Sequence, residues 1–310
     1  SKIEQLRPDV VTLDVDMPRM DGITTLGVIV QKHKVPVLML SSLTTRDAAL
    51  TLKALEMGAF DFICKPNGPG RIGEMADELI YKVKAAARSR MIEPASPPAL
   101  AGQTKRRIPT GRLGGAQKLV AIGASSGGPN ALRHLLPRLP AEFEAGIVIV
   151  QHMPESFTSV MARGLDEICN IDVREAKDGD LVVPGRAFVA PGNSQMKVRR
   201  SPLGAIVELD RSGPVNGHMP SVDVLFRSVA QEYGKDATAV IMTGMGYDGA
   251  EGIGEIRRAG GLTLAQDRES CAIFGMPRAA IERGYIQRVS PLADIAPWLI
   301  SVVRSQSSEV

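Results

Sequence analysis

The sequence predicts an α/β protein with two domains, and three observations lead to this prediction. Short apolar runs rich in Val, Leu and Ile alternate with helix-like stretches, a pattern typical of βα units around a parallel sheet. Residues 87–116 interrupt this alternation with prolines, glycines and a basic triplet. The chain, at 310 residues, is long enough for two domains of ordinary size. We therefore predict domains over residues 1–86 and 117–306, joined by a linker over 87–116.

Composition narrows the class of protein. Apolar residues make up 44% and charged residues 23% of the chain, as in ordinary globular proteins. The formal net charge of +3 is small for this length and gives no reason to expect a nucleic-acid partner. No apolar run is long enough to span a bilayer, and no signal peptide is recognisable, so we expect no membrane insertion. Three cysteines without metal-like spacing suggest a reducing compartment, and we predict a cytoplasmic protein.

The first domain is predicted to be a small βα unit. Its short apolar runs, which read as buried strands, lie at 10–13, 35–40 and 60–64. Residues 74–87 carry apolar positions at helical spacing and are expected to close the domain.

The second domain repeats this alternation on a larger scale and predicts a doubly wound, mostly parallel sheet. Its predicted strands lie at 119–122, 147–150, 187–190 and 239–242, and its clearest helical patterns at 129–139 and 221–233. The segment 181–209 is more alternating and rich in turns, so we expect an antiparallel hairpin beside the main sheet.

Three of these strands are each followed by a different reactive side chain. Ser125, His152 and Asp248 come after the strands at 119–122, 147–150 and 239–242. Because the carboxyl ends of parallel strands meet at one edge of a sheet, we expect the three to lie together. Serine, histidine and aspartate are the members of a hydrolytic triad. Each alone fits a structural role, such as a buried histidine or an aspartate at a turn, but together they predict a hydrolase.

The glycines around Ser125 strengthen this prediction. The pattern G-x-S-x-G over 123–127 suits a sharp strand-to-helix turn that exposes the central hydroxyl, which selects Ser125 over Ser126. The following helix would direct its N-terminal N–H groups towards a developing oxyanion. Gly244 and Gly246 allow the backbone angles that a further donor needs. We expect the backbone N–H groups of Ser126 and Met245 to serve as oxyanion donors.

Four histidines compete for the role of base. His33 lies in the first domain, and His134 lies within the helix that follows the serine turn. His218 lies in a loop over 216–220 that is able to approach a site but follows no strand. His152 is therefore the best-placed base.

The glycine-rich segment also raises the question of phosphate binding. It lacks the Lys-Ser/Thr pair of a P-loop, and the dinucleotide pattern requires glycine where Ser125 stands. A weaker anion-binding role stays open, and so does a phosphate- or nucleotide-binding module that uses residues 123–128. The order Ser, His, Asp also differs from the Ser, Asp, His order of α/β-hydrolases.

Motifs along nearly the whole chain resemble those of the chemotaxis response-regulator protein-glutamate methylesterases, the CheB family. In chain order they are LDVDMPRMDG, VLMLSSLT, GAFDFICKP, IGASSGGP, QHMP, APGNSQM, GPVNGHMPSVDVLF, TGMGYDGA and AQDRESCAIFGMP. The resemblance implies a flavodoxin-like receiver domain joined to a hydrolase domain whose triad is Ser125, His152 and Asp248. It also implies hydrolysis of glutamate methyl esters, and deamidation of specific glutamines, on methyl-accepting chemotaxis receptors.

The resemblance further implies regulation through the first domain. Asp14 would be the phosphoacceptor, Ser41 the hydroxyl switch residue, Phe62 the aromatic switch position and Lys65 the lysine that pairs with the phosphate. The phosphodonor would be a chemotaxis histidine kinase. A non-enzymatic response regulator that docks on receptors is the alternative function from another class.

Two departures from the family pattern accompany the resemblance. The first receiver strands, and the acidic pair that binds Mg²⁺, are absent before Asp14, so we interpret the chain as a fragment with an incomplete receiver. Mg²⁺ is therefore expected for receiver phosphorylation in the full-length parent and is in doubt for this chain, whereas hydrolysis needs no cofactor or metal in the hydrolase domain. Ser126 stands where the family more often has threonine.

Overall fold

The computed structural model describes residues 2–17, 21–65, 72–89 and 115–305. The chain is an α/β protein whose described residues divide into two compact units, one before residue 97 and one after it. The predicted fold class is confirmed. Most of the predicted linker, at 90–114, and the predicted last residue of the second domain, 306, lie outside the described residues.

The smaller unit is a three-stranded parallel sheet with helices beside it. Its strands are β1 (Val11–Asp14), β2 (Val37–Ser41) and β3 (Asp61–Cys64), paired in the order β1-β2-β3. Its helices are α1 (Lys2–Leu6), α2 (Gly22–Lys32), α3 (Thr45–Glu56) and α4 (Ile72–Arg88). Helix α4 continues two residues past the predicted domain end at 86.

Local sequence explains where two of these helices begin. The side chain of Asp21 accepts a hydrogen bond from the backbone N–H of Thr24 at 2.6 Å, and Thr44 accepts one from Asp47 at 3.1 Å. Short polar side chains of this kind satisfy N–H groups that have no partner inside a helix. Asp21 and Thr44 therefore mark the positions where α2 and α3 begin.

The larger unit is built on a seven-stranded sheet, parallel at every described pairing. Its strands are β4 (Leu119–Ala124), β5 (Gly146–Gln151), β6 (Asp172–Glu175), β7 (Arg186–Val189), β10 (Ala237–Ile241), β11 (Leu262–Gln266) and β12 (Arg288–Ser290). The order is β12-β11-β10-β4-β5-β7-β6. Its helices are α5 (Gly128–Leu135), α6 (Glu155–Ile168), α7 (Val222–Tyr233), α8 (Ala250–Arg258), α9 (Met276–Glu282) and α10 (Leu292–Ser305).

The order of the central strands determines where the site lies. Strand β4 lies between β5 and β10. The strand order therefore reverses at β4, because β5 to β7 lie on one side of it and β10 to β12 on the other. In the register of the sheet, Ala124 is opposite Gln151 and Gly123 is opposite Ile241. The three strands thus end together, which is the place where open α/β sheets bind ligands. All of their residues are buried, as expected for a parallel sheet covered on both faces.

The predicted hairpin exists, but its predicted extent is wrong. The antiparallel pair is β8 (Gln195–Ser201) with β9 (Gly204–Asp210). Phe188 instead belongs to β7 of the main sheet, where it is 1% exposed, and Val182 lies outside any strand. The true hairpin buries alternate residues such as Met196 and Val198, which is the period-two pattern of a strand covered on one face.

Three strands of the main sheet, β6, β11 and β12, were not predicted from the sequence. Strands β6 and β12 are the edges of the sheet and include exposed charged residues such as Arg174 and Arg288, so they lack a continuous apolar run. Helix α5 is also shorter than its predicted pattern, because a 3-10 helix, Leu136–Arg138, follows it. Within the described parts of the chain, no helix is long and apolar enough to cross a membrane.

Candidate active site

Ser125 lies in a tight turn between β4 and α5. Its backbone N–H donates to the carbonyl of Thr243 at 3.0 Å, and its own carbonyl accepts from Gly128 at 2.8 Å. Gly127 has a φ of 75°, a left-handed angle that side chains disfavour, and a Cβ there would lie 2.5 Å from the Cβ of Ala272. Glycine at this position thus allows the sharp turn that the G-x-S-x-G pattern predicts.

Gly244 is packed directly against the side chain of Ser125. A Cβ built on Gly244 would lie 2.9 Å from the Cβ of Ser125 and 2.2 Å from the Sδ of Met276. The backbone of Gly244, in the loop after β10, therefore packs so closely against Ser125 that there is no room for a side chain at this position. Gly127 is therefore required by its backbone angle, and Gly244 by its close contact with Ser125.

Gln151, the last residue of β5, ties the serine turn to His152. Its Nε2 donates to the carbonyl of Ser125 at 2.9 Å and to the carbonyl of His152 at 3.1 Å. The backbone N–H of His152 donates to the carbonyl of Ala124 at 3.0 Å. Gln151 is 2% exposed, so these hydrogen bonds are shielded from water. They hold the two strand ends, and with them Ser125 and His152, in one fixed arrangement.

His152 and Asp248 form a buried pair. The Nε2 of His152 lies 2.8 Å from the Oδ2 of Asp248, and the two side chains are 8% and 0% exposed. The other ring nitrogen, Nδ1, is buried and has no hydrogen-bond partner within the described chain. Neither ring nitrogen bonds to Ser125, whose backbone is nevertheless held beside His152 by Gln151. Bonds between a nucleophile and its base often form only when substrate is bound.

Asp248 sits at the N-terminus of α7 rather than capping the helix that follows it in sequence. Its Oδ2 accepts from the backbone N–H of Val222 at 2.6 Å. Its Oδ1 accepts from the Nδ2 of Asn216 at 3.0 Å and from the Oγ of Ser221 at 2.8 Å. The partial positive charge of a helix N-terminus stabilises a carboxylate in this position. Asp248 is thus a fully hydrogen-bonded anion in a dry site.

The surroundings of Asp248 keep it ionised. Burial alone raises the pKa of this carboxyl, but the hydrogen bond and charge of His152, with the donors of Asn216 and Ser221, outweigh burial. The net effect lowers the pKa of Asp248 below its ordinary value. A carboxylate beside Nε2 accepts a hydrogen bond when that nitrogen carries the ring proton, which leaves Nδ1 as the unprotonated nitrogen of a neutral ring.

A second buried carboxylate, Asp223, lies behind Asp248. Its Oδ2 accepts from the Nδ2 of Asn216 at 2.7 Å and its Oδ1 accepts from the N–H of Gly252 at 2.6 Å. Burial raises the pKa of Asp223, the hydrogen bond from Gly252 opposes this, and the charge of Asp248 raises it further. No hydrogen bond among the described residues joins Asp223 to His152. Asp223 instead links α7, where it lies, to α8 through its hydrogen bond from Gly252.

The expected oxyanion donors lie on the two loops that frame the serine. Ser126 follows Ser125 in the turn, and its side chain is buried, while Met245 follows Gly244 on the opposite loop. In the part of the chain that the structure describes, neither backbone N–H donates to a protein acceptor. The carbonyl of Ser126, by contrast, accepts a hydrogen bond from the Oγ1 of Thr243 at 2.8 Å.

In the smaller unit the structure brings Asp14 and Lys65 together. Asp14 ends β1 and is opposite Leu40 in the sheet, and its Oδ2 is paired with the Nζ of Lys65. Both side chains are partly exposed, at 34% for Asp14 and 42% for Lys65. The backbone N–H of Asp16 donates to Asp14 Oδ1 at 3.2 Å. An accessible carboxylate beside an ammonium group is chemically suited to hold an added phosphoryl charge.

The other two predicted switch residues are buried and make hydrogen bonds to residues other than Asp14. Ser41 is fully buried: its Oγ accepts from the Oγ1 of Thr51 at 2.7 Å and donates to the carbonyl of Ser42 at 3.1 Å. Phe62 is 8% exposed, and the Nζ of Lys82 lies 5.5 Å from its ring centroid and donates to its carbonyl at 2.7 Å. Their contacts in this structure are with the packed interior of the smaller unit.

The described residues do not complete a site for Mg²⁺ beside Asp14. Among them, no group of three or more His, Cys, Asp or Glu side chains is arranged to hold a metal ion. Asp16 adds a carboxylate two residues after Asp14, and Oδ2 of Asp14 is paired with Lys65. Mg²⁺ requires a near-octahedral shell of oxygen ligands.

Several residues of the site were not predicted from the sequence. Asn216 and Ser221 donate to Asp248, Gln151 links Ser125 to His152, and the ring of His218 stacks on the ring of His152. The Asn-Gly pair at 216–217 signals a turn, but no local pattern reveals which buried groups that turn contacts.

The fold and the site together define an α/β protein of two units. The smaller unit has a partly exposed aspartate, and the larger has a serine, a buried His–Asp pair and backbone donors that are unpaired among the described residues. Comparison with known proteins gives the same division. The CheB methylesterase family model matches residues 120–299, and the response regulator receiver domain model matches residues 1–77. The chain belongs to the CheB methylesterase family and carries a response regulator receiver domain.

Individual relatives extend over nearly the whole chain. The protein-glutamate methylesterase/protein-glutamine glutaminase 2 of Koribacter versatilis is 50% identical over 308 residues, covering 97% of this chain and 85% of the relative. A similarly named protein of Pseudomonas aeruginosa is 45% identical over 316 residues, covering 99% and 86%. The crystal structure of the Thermotoga maritima CheB methylesterase catalytic domain is 40% identical, with a TM-score of 0.59, and covers 60% of this chain and 98% of that one.

Proposed function

We propose that this chain hydrolyses glutamate methyl esters, and deamidates specific glutamines, on methyl-accepting chemotaxis receptors. The observation that carries the proposal is the buried pair of His152 and Asp248, whose remaining ring nitrogen, Nδ1, has no partner at the strand end beside Ser125. The names of the relatives describe methylesterases and glutaminases of this kind. A histidine whose one ring nitrogen is held by a carboxylate can use its other ring nitrogen to accept the proton of a neighbouring hydroxyl.

In the proposed first step, Ser125 is the nucleophile. Its Oγ attacks the ester carbonyl carbon while Nδ1 of His152 accepts the hydroxyl proton, forming a tetrahedral oxyanion. The oxyanion then collapses, the bond to the methoxy group breaks, and the imidazolium returns the proton to release methanol. This leaves the glutamyl group esterified to Ser125. Asp248 keeps Nε2 protonated and stabilises the imidazolium throughout.

The second step restores the enzyme. Water attacks the acyl-enzyme with His152 again as base, Ser125 leaves as the alcohol, and a glutamate carboxyl group remains on the receptor. A glutamine side chain follows the same route with ammonia as the leaving group. In both steps the proton moves between the hydroxyl of Ser125, the imidazole of His152 and the leaving group or water, and Asp248 stays ionised.

The oxyanion is held by the backbone N–H groups of Ser126 and Met245 in this proposal. Both donors are unpaired in the described chain, and they flank Ser125 on two different loops. Preorganised donors directed at a developing negative charge stabilise the transition state more than the ground state. The close contact of Gly244 with Ser125 supports this placement, because it brings the Met245 loop to the serine.

Regulation is proposed to act through Asp14. A chemotaxis histidine kinase would supply the phosphoryl group, Lys65 would pair with it, and Ser41 and Phe62 would change their contacts as the smaller unit shifts between states. The partly exposed ion pair of Asp14 and Lys65 supports this role. The inward positions of Ser41 and Phe62 are those of the unphosphorylated state in this proposal.

Methanol release from a methylated receptor tests the proposed function. We expect Ser125→Ala to lower kcat by roughly 10³-fold or more, as loss of a triad member does. Ser126→Ala is the matched control, since it removes a neighbouring hydroxyl and keeps the backbone N–H. Equal losses in the two variants would contradict the assignment of the nucleophile. Full receptor signalling by Ser125→Ala would favour a non-enzymatic docking protein instead.

A further inference from the structure

The ring of His218 lies flat against the ring of His152. The two ring centroids are 3.8 Å apart and the ring planes differ by 10°. His218 is half-buried, whereas the side chain of His152 is only 8% exposed. One face of the buried imidazole is therefore covered by a second aromatic ring at the rim of the site.

The backbone of His218 is firmly held, so this contact does not depend on a loose loop. His218 and Val215 exchange two backbone hydrogen bonds of 2.9 Å each across a two-residue turn. Both central residues of the turn have left-handed angles, with φ of 53° at Asn216 and 78° at Gly217, as a tight hairpin turn requires. The carbonyl of His218 also accepts from the Nε2 of Gln195 at 3.0 Å.

The same turn contacts both members of the buried pair. Asn216, inside the turn, donates to Asp248, and His218, at its end, stacks on His152. Asp248 alone fixes only one edge of the His152 ring, at Nε2. Rotation of a histidine ring about its last side-chain bond is otherwise soft. A flat ring against the face of His152 blocks that rotation, because turning the imidazole would push its edge into His218.

We propose that His218 is a positioning residue for the reaction. It holds the plane of the His152 ring so that Nε2 stays on Asp248 while Nδ1 stays directed at the proton of Ser125. The inference rests on the proposed function, since it assigns His152 the role of base. The property that matters is a flat ring at this position rather than a titrating group.

The test compares three substitutions of His218 by methanol release from a methylated receptor. We expect His218→Ala and His218→Asn to lower kcat about 10- to 100-fold, the loss that a misplaced reacting group causes, with KM changed less than about twofold. His218→Phe keeps a flat ring and should retain kcat within about threefold of the wild type. Thermal unfolding of each variant shows whether the site has folded.

A spectroscopic measurement covers the case in which a variant is less stable. The Nε2 proton of His152, held against Asp248, should give a downfield proton resonance in the wild type and in His218→Phe. The resonance should broaden or shift in His218→Ala. An unchanged resonance in His218→Ala overturns the inference, even if that variant is too unstable for kinetics.

The other outcomes separate this inference from the proposed function. Wild-type activity in His218→Ala overturns the positioning role and leaves the function intact. Equal losses in His218→Phe and His218→Ala overturn it as well, because the ring would then not be the relevant feature. A rise in KM without loss of kcat overturns it in favour of a substrate contact. A wild-type chain that releases no methanol contradicts the proposed function itself, and the His152 resonance then decides the positioning role alone.

Discussion

The substitution Asp248→Asn probes the buried pair most sharply, because it keeps the shape of the side chain and removes its charge. Both carboxylate oxygens accept hydrogen bonds: Oδ2 from His152 and Val222, and Oδ1 from Asn216 and Ser221. An amide NH₂ group on either side would therefore face a donor. The Nε2 proton of His152 would also lose the anion that holds it in place.

The size of both effects follows from these contacts. A hydrogen bond to a charged group contributes about 1.5–3 kcal/mol, and removing a buried charge offsets part of the loss, so we expect a destabilisation of about 2–4 kcal/mol. We expect kcat to fall by about 10³- to 10⁴-fold, as loss of the orienting carboxylate does in a triad. The assays are chemical unfolding and methanol release from a methylated receptor.

The matched control is Asp223→Asn. Asp223 is also buried and also accepts from Asn216, but it has no hydrogen bond to His152 among the described contacts. We expect a comparable loss of stability, because a buried carboxylate is again replaced by an amide, and a loss of kcat below about tenfold, because no hydrogen bond to His152 changes. The account is refuted if Asp248→Asn retains kcat within tenfold of the wild type, or if Asp223→Asn loses as much activity as Asp248→Asn.

The pH dependence of stability supplies an independent check on Asp248. Its pKa is lower in the folded chain than its ordinary value of 3.8, so its ionised form stabilises the fold above that pH. This contribution is lost as the pH falls below 3.8 towards the lowered pKa of the folded state. The difference in unfolding free energy between the wild type and Asp248→Asn should therefore shrink on acidification. A constant difference would contradict the assigned charge state.

Two further predictions concern the proposed phosphoacceptor, Asp14, and the loop beside Ser125. In a protein with a complete receiver domain, Asp14→Asn should abolish the stimulation of methanol release by a phosphodonor and leave basal activity unchanged, and surviving stimulation would contradict the switch role. Gly244→Ala should lower kcat about 10- to 100-fold, because its Cβ would lie 2.9 Å from the Cβ of Ser125 and displace the nucleophile. Gly164→Ala is the control and should behave as wild type, because outside its own helical turn no atom lies within 4 Å of the added Cβ; equal kcat in both variants would refute the packing argument.

The sequence was most informative where strands are buried on both faces. The runs that became β4, β5 and β10 are continuous and apolar, so their ends, and the polar residues that follow them, were predictable. Parallel pairing then brings those ends to one edge of the sheet. Edge strands such as β6 and β12 escaped prediction because exposed charged residues interrupt their pattern.

Contacts between loops far apart in sequence were not predictable in this way. Asn216 and His218 reach His152 and Asp248 because a tight turn lies over the end of the main sheet, and nothing local in their sequence encodes that placement. Ser41 illustrates the opposite case. Its position at the end of β2 was predictable, but its inward hydrogen bonds depend on how α3 packs against that strand.

The central claim is that Ser125 forms a covalent acyl-enzyme with the receptor glutamate. The most direct measurement is rapid acid quenching of the reaction with a methylated receptor, followed by peptide mapping by mass spectrometry. The account predicts a glutamyl ester on the peptide that contains Ser125, localised to that residue by fragmentation and absent from Ser125→Ala. An ester on Ser126, or methanol release by Ser125→Ala at the wild-type rate, would contradict the account.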